Sequence, residues 1–140
     1  MIGWSLGGAS ALLAMEQTPD IGALVSDSVY ANADPLLADN PLRPGLKLAM
    51  RLVRDVDLDD VRPDRALVNS GDRPVPVFLI HGADDRAVPL AQFERLRAAA
   101  PHRTTETWVV EQAGHVGAYN SAQEEYVERL SRFFDQNLGS

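Results

Sequence analysis

The 140-residue chain has no cysteine, only three histidines, and no run near the roughly 18 apolar residues needed to span a bilayer. The first absence excludes a disulfide scaffold and nothing more, because cysteine-free proteins are compatible with any compartment. Three histidines without cysteine or a His-x-x-x-His spacing supply no metal-ligand set, so neither a metal nor another cofactor is expected. Positive charge is scarce as well: 13 Lys and Arg stand against 20 Asp and Glu, a net charge of −7. Such a chain has no basic patch to neutralise phosphates, which argues against a nucleic-acid partner. Arg43, Lys47, Arg51 and Arg54 recur at helical spacing, yet Asp55, Asp57, Asp59 and Asp60 counter them. What is present is 45% hydrophobic, enough for a single core, with no internal repeat or low-complexity segment.

The most informative feature is Gly3-Trp4-Ser5-Leu6-Gly7, a G-x-S-x-G pattern. Small residues two before and two after a serine permit a tight strand-to-helix turn, a nucleophile elbow. The turn lifts the hydroxyl clear of the backbone and leaves the next amide, that of Leu6, free to face an oxyanion. From Ser5 the chain runs through glycines into strong helix formers, as far as the stop at Thr18-Pro19-Asp20. The competing reading is an ordinary serine at a helix start.

Two later segments bear on the choice. Pro76-Val77-Phe78-Leu79-Ile80 is a short β-branched apolar run of the kind found in buried parallel strands. It leads into His81-Gly82-Ala83-Asp84-Asp85-Arg86-Ala87-Val88-Pro89, and catalytic groups collect at such strand ends in open α/β sheets. Thr104 to Glu111 alternates as a further strand and is followed by Gln112-Ala113-Gly114-His115-Val116-Gly117, a glycine-flanked histidine on a loop. Serine, acid and histidine occur in that order. Asp84 is a second candidate acid and so is Asp27, which ends the strand at Ala23-Leu24-Val25-Ser26 or else caps its turn. His81, just before Gly82, is expected to be a structural turn histidine and His102 to be solvated.

Together these segments resemble the C-terminal half of an α/β-hydrolase, in the branch of dienelactone-hydrolase-like and prolyl-oligopeptidase-like esterases and peptidases. In that branch the acid is the fifth residue of an H-G-x-x-D-x-x-V-P stretch, which is Asp85 here, and the histidine follows a glycine, matching Gly114-His115. The resemblance implies a serine hydrolase with Ser5 as nucleophile, His115 as base, Asp85 as its orienting acid and the Leu6 amide as one oxyanion donor. A small-molecule ester is the expected substrate. A peptide or thioester would suit the same residues, and a catalytically incompetent fragment or binding module is the rival from another class.

Secondary-structure patterning gives helix 5–17, strand 21–27, strand 76–81, helix 89–100, strand 104–111 and helix 120–138. The fold class is therefore α/β, a partial α/β-hydrolase with a parallel sheet of about three strands flanked by helices. Residues 1–140 read as one incomplete domain, with 31–72 a possible small cap or crossover. Within that segment Leu46, Ala49, Met50 and Val53 predict an amphipathic helix, and Leu36, Leu37, Leu42 and Met50 are candidates for an apolar acyl pocket. In the last helix, Tyr126, Leu130, Phe133 and Phe134 should face the sheet. The resemblance further implies that about five earlier strands are missing. An exposed sheet edge would then favour self-association, and the lack of a visible signal peptide would leave the compartment open, with the cytoplasm favoured.

Overall fold

The computed structural model describes residues 1–15, 17–33, 41–54, 57–68, 75–100 and 105–139, except for the side chains of Arg43, Leu46, Met50, Arg51, Val53, Arg54 and Leu58. Four strands form one parallel sheet in sequence order: β1 (Ile2–Trp4), β2 (Leu24–Asp27), β3 (Val77–Gly82) and β4 (Thr105–Val110). This is one strand more than the sequence predicts. Three residues suffice for β1 because each lies in register with a β2 residue: Ile2 with Val25, Gly3 with Ser26, Trp4 with Asp27.

The helices are α1 (Ser5–Ala14), α2 (Arg43–Arg54), α3 (Pro63–Val68), α4 (Leu90–Ala99), α5 (Ala118–Ser121) and α6 (Gln123–Leu138). They cover both faces of the sheet, as parallel strands require. Leu12, Leu24, Leu67, Leu79, Phe93 and Leu96 pack between the sheet and α1, α3 and α4. On the opposite face Val25, Phe78, Ile80, Tyr126 and Phe133 pack under α6. Strand residues alternate between the two cores, so Val77 and Leu79 serve one while Phe78 and Ile80 serve the other.

The last helix buries Tyr126 and Phe133 with Leu130 and Phe134 against them, as its pattern predicts, but Ala122 at φ −145° separates the short α5 from it. Between β2 and β3, α2 begins three residues before the predicted Leu46. Of the proposed acyl-pocket residues, Leu42 is exposed, whereas Leu36, Leu37 and the Met50 side chain lie outside the described residues. His102 lies outside them too. Among the described residues no helix is long and apolar enough to cross a membrane.

Candidate active site

Ser5 is the first residue after β1 and opens α1 with φ 48°, in the left-handed region that a non-glycine residue adopts only when its surroundings hold it there. The glycines around it explain how. A Cβ on Gly3 would lie 2.6 Å from the Gly8 Cα, and one on Gly8 would lie 2.5 Å from Val29 Cγ2 and 2.8 Å from the Gly3 carbonyl oxygen. Gly3 and Gly8 are therefore pressed together where helix meets strand. Gly7, the second glycine of the motif, meets nothing within 4 Å. The packing glycine is one residue beyond the one the motif names, a distinction that needs the position of β2.

This leads to a contrast between neighbours. Gly8→Ala is expected to cost about 1–3 kcal/mol through overpacking against backbone and Val29. Gly7→Ala is expected to gain about 0.5–1 kcal/mol by relieving a glycine inside a helix. Urea unfolding of the two variants measures both, and equal midpoints would refute the assignment.

Asp85 lies three residues beyond the end of β3, and its side chain is fully buried. Its Oδ1 accepts the amides of Ala87 (2.9 Å) and Val88 (2.8 Å), which leaves Oδ2 for His115 Nδ1 at 2.8 Å. His115 sits five residues beyond β4, and its Nε2 lies 2.9 Å from Ser5 Oγ. A carboxylate can only accept, so Nδ1–H donates to Asp85; in the neutral ring Nε2 is then the acceptor and the Ser5 hydroxyl donates to it. Ser5, His115 and Asp85 thus form one hydrogen-bonded chain across the C-terminal ends of three strands. Asp84 is exposed and takes no part in it. The Leu6 amide lies in the first turn of α1, where no side chain caps the helix start.

Two other residues have roles that sequence reasoning left open or placed differently. His81 lies within β3 rather than in a turn, is fully buried, and stacks on Phe93 with ring centroids 5.4 Å apart. Its Nε2–H donates to the Val88 carbonyl at 3.0 Å, which anchors the far end of the Asp85 loop. Burial lowers its pKa against the opposing pull of Val88 and Asp85, so it stays neutral beside the site. Asp27 does not reach the His115 Nδ1 proton, which Asp85 accepts. Instead it accepts the hydroxyls of Ser28 (2.9 Å) and Tyr126 (3.1 Å). Burial raises its pKa, opposed by those two hydrogen bonds and by His115. Among the described residues no group of three His, Asp or Glu is positioned to hold a metal ion.

With this geometry in hand, a sequence profile described as the prolyl oligopeptidase family matches residues 1–140. The chain belongs to that family. This prolyl oligopeptidase family member matches no curated protein sequence. Its fold is shared with solved α/β-hydrolases. It superposes on the esterase domain of a Rhodothermus marinus protein with a TM-score of 0.72 at 21% identity, over 99% of this chain and 60% of that one. An esterase from Pyrococcus furiosus gives 0.74 at 25% identity over 99% and 53%. A puromycin-hydrolysing peptidase from Mycobacterium tuberculosis gives 0.73 at 22% over 99% and 22%. The family member thus spans between half and two thirds of the length of the two esterases. These likenesses show the partial α/β-hydrolase fold of the chain.

Proposed function

We propose that the chain carries the nucleophile, base and acid of a serine hydrolase that cleaves carboxylic esters through an acyl-enzyme. The observation that carries this reading is the continuous chain from Ser5 Oγ through His115 to Asp85 Oδ2, with links of 2.9 and 2.8 Å. As Ser5 Oγ attacks the ester carbonyl carbon, its proton passes to His115 Nε2, and Asp85 steadies the resulting imidazolium. The Leu6 amide faces the charge that develops on the carbonyl oxygen, an interaction whose loss costs roughly 100 to 1,000-fold in turnover elsewhere. Collapse of the intermediate expels the alcohol, which takes the proton from His115. Water, activated by the same histidine, then releases the acid.

Peptide-bond cleavage is the second reading, favoured by the family match, since the same groups protonate an amine leaving group. Labelling with a fluorophosphonate probe followed by peptide mapping tests the shared step. Labelling at Ser5 that disappears in Ser5→Ala is the expected result. A folded, unlabelled protein would overturn it in favour of a binding module. Rates on matched p-nitrophenyl esters and peptidyl anilides then separate the two substrate classes.

A further inference from the structure

Val116, the residue after His115, has φ 55°, and Ser28, its neighbour across the site, has φ 57°. For a β-branched valine this conformation is strained and must be held by something. Two hydrogen bonds hold it: the Gly117 amide closes the turn on the Gly114 carbonyl at 3.0 Å, and the Val116 amide donates to the Ser28 hydroxyl at 3.0 Å, which in turn donates to Asp27 Oδ1 at 2.9 Å. A second chain reaches the same carboxylate from the nucleophile side. Trp4, which precedes Ser5, donates its indole N–H to the Tyr126 hydroxyl at 3.3 Å, and Tyr126 donates to Asp27 Oδ2 at 3.1 Å. Every donor in both chains points toward one carboxylate, and neither Asp27 nor Ser28 is exposed to solvent.

We propose that Asp27 and Ser28 are positioning residues that hold the histidine loop in its strained, base-presenting conformation and tie it to the strand carrying the nucleophile. The proposal rests on the serine-hydrolase reading. The folded pKa of Asp27 is raised by burial, so between 3.8 and that raised value the folded chain binds a proton the unfolded chain lacks. Stability therefore falls as pH rises through this window, and burying the ionised group opposes folding at neutral pH. The groups facing it are Ser28 and Tyr126, which hydrogen-bond it, and His115 and Asp85, which act through their charges. A carboxyl whose ionisation burial disfavours, yet which joins the residues flanking Ser5 and His115, fits a role in alignment. Sub-ångström to ångström displacement of a base costs on the order of 100-fold in rate.

The test uses Asp27→Asn, which keeps the shape, and Ser28→Gly, which removes the hydroxyl while suiting a positive φ. On a p-nitrophenyl ester, kcat is expected to fall by roughly 100-fold for each with KM within about twofold, since the ester does not touch either residue. Val116→Gly removes the strain the strap restrains, so adding Asp27→Asn to Val116→Gly should lower kcat by no more than about threefold. Unchanged kcat in a folded Ser28→Gly variant would overturn the proposal, as would multiplicative effects in the Asp27→Asn/Val116→Gly pair. A readout without substrate separates this from the underlying reading. The downfield proton resonance of His115 Nδ1–H should be sharp in the wild type and broadened or lost in Ser28→Gly. If Ser5→Ala leaves turnover unchanged, the hydrolase reading falls, and a resonance that survives in Ser28→Gly refutes the strap independently.

Discussion

Replacing His115 with alanine is expected to lower ester turnover by roughly a million-fold, the scale seen when the base of a serine hydrolase is removed, with KM nearly unchanged. The reasoning follows from the hydrogen bonding around Ser5. His115 Nε2, the base of the proposed reaction, lies 2.9 Å from the Ser5 hydroxyl. The acid can be tested in the same assay by comparing neighbours in sequence. Asp85→Asn should cost about 10,000-fold, because an amide at Oδ2 no longer selects the tautomer with a proton on Nδ1. Asp84→Asn should stay within a factor of a few, its side chain being exposed and outside the hydrogen-bonded chain. Equal losses at the two positions would reassign the acid.

A methyl group at Gly82 is expected to separate the acid and histidine loops. A Cβ there would run into the Ala113 carbonyl oxygen and lie 2.6 Å from that of Gly114, both rigid backbone. The same junction holds two hydrogen bonds, Ala83 N–H to the Val110 carbonyl and Asp84 N–H to the Ala113 carbonyl, each 2.9 Å. Gly82→Ala must lengthen or break them, which places it among the severe class at about 3–5 kcal/mol. The expected fall in melting temperature is roughly 10–20 °C for a chain of this size. Turnover should drop by more than 100-fold in whatever folded fraction remains, because His115 and Asp85 lie on the two loops being forced apart. A melting temperature within 2 °C of wild type, with activity retained, would show that the loops can yield without consequence. His81 supports the same loop from its other side, so the Asp85 turn is pinned at both ends.

Much of the candidate site was legible because local chemistry leaves marks in local sequence. Ser5 needed a tight turn, which demands small neighbours. The Asp85 and His115 loops each follow a strand whose β-branched run is recognisable on its own. The order and periodicity of these segments determined the α/β class, the parallel sheet and the inward face of α6. Asp85 was preferred over Asp84 only through the loop pattern, since adjacent carboxylates are chemically alike; in the fold the loop directs Asp85 inward to the Ala87 and Val88 amides.

Only the tertiary structure decided the features that depend on two segments meeting. β1 counts as a strand because β2 supplies its partners, not because three residues carry a pattern. Gly8 rather than Gly7 is the packed glycine because Val29 and Gly3 close on it. Asp27 had several plausible fates in sequence, as acid or turn cap. It accepts hydrogen bonds from Ser28 beside it and from Tyr126, 99 residues away on α6. Local sequence thus determined which groups could do chemistry, since a hydroxyl, an imidazole and a carboxylate are fixed by residue type and turn preference. Which of them meet, and in which direction each hydrogen bond runs, was decided by long-range packing that no local pattern encodes.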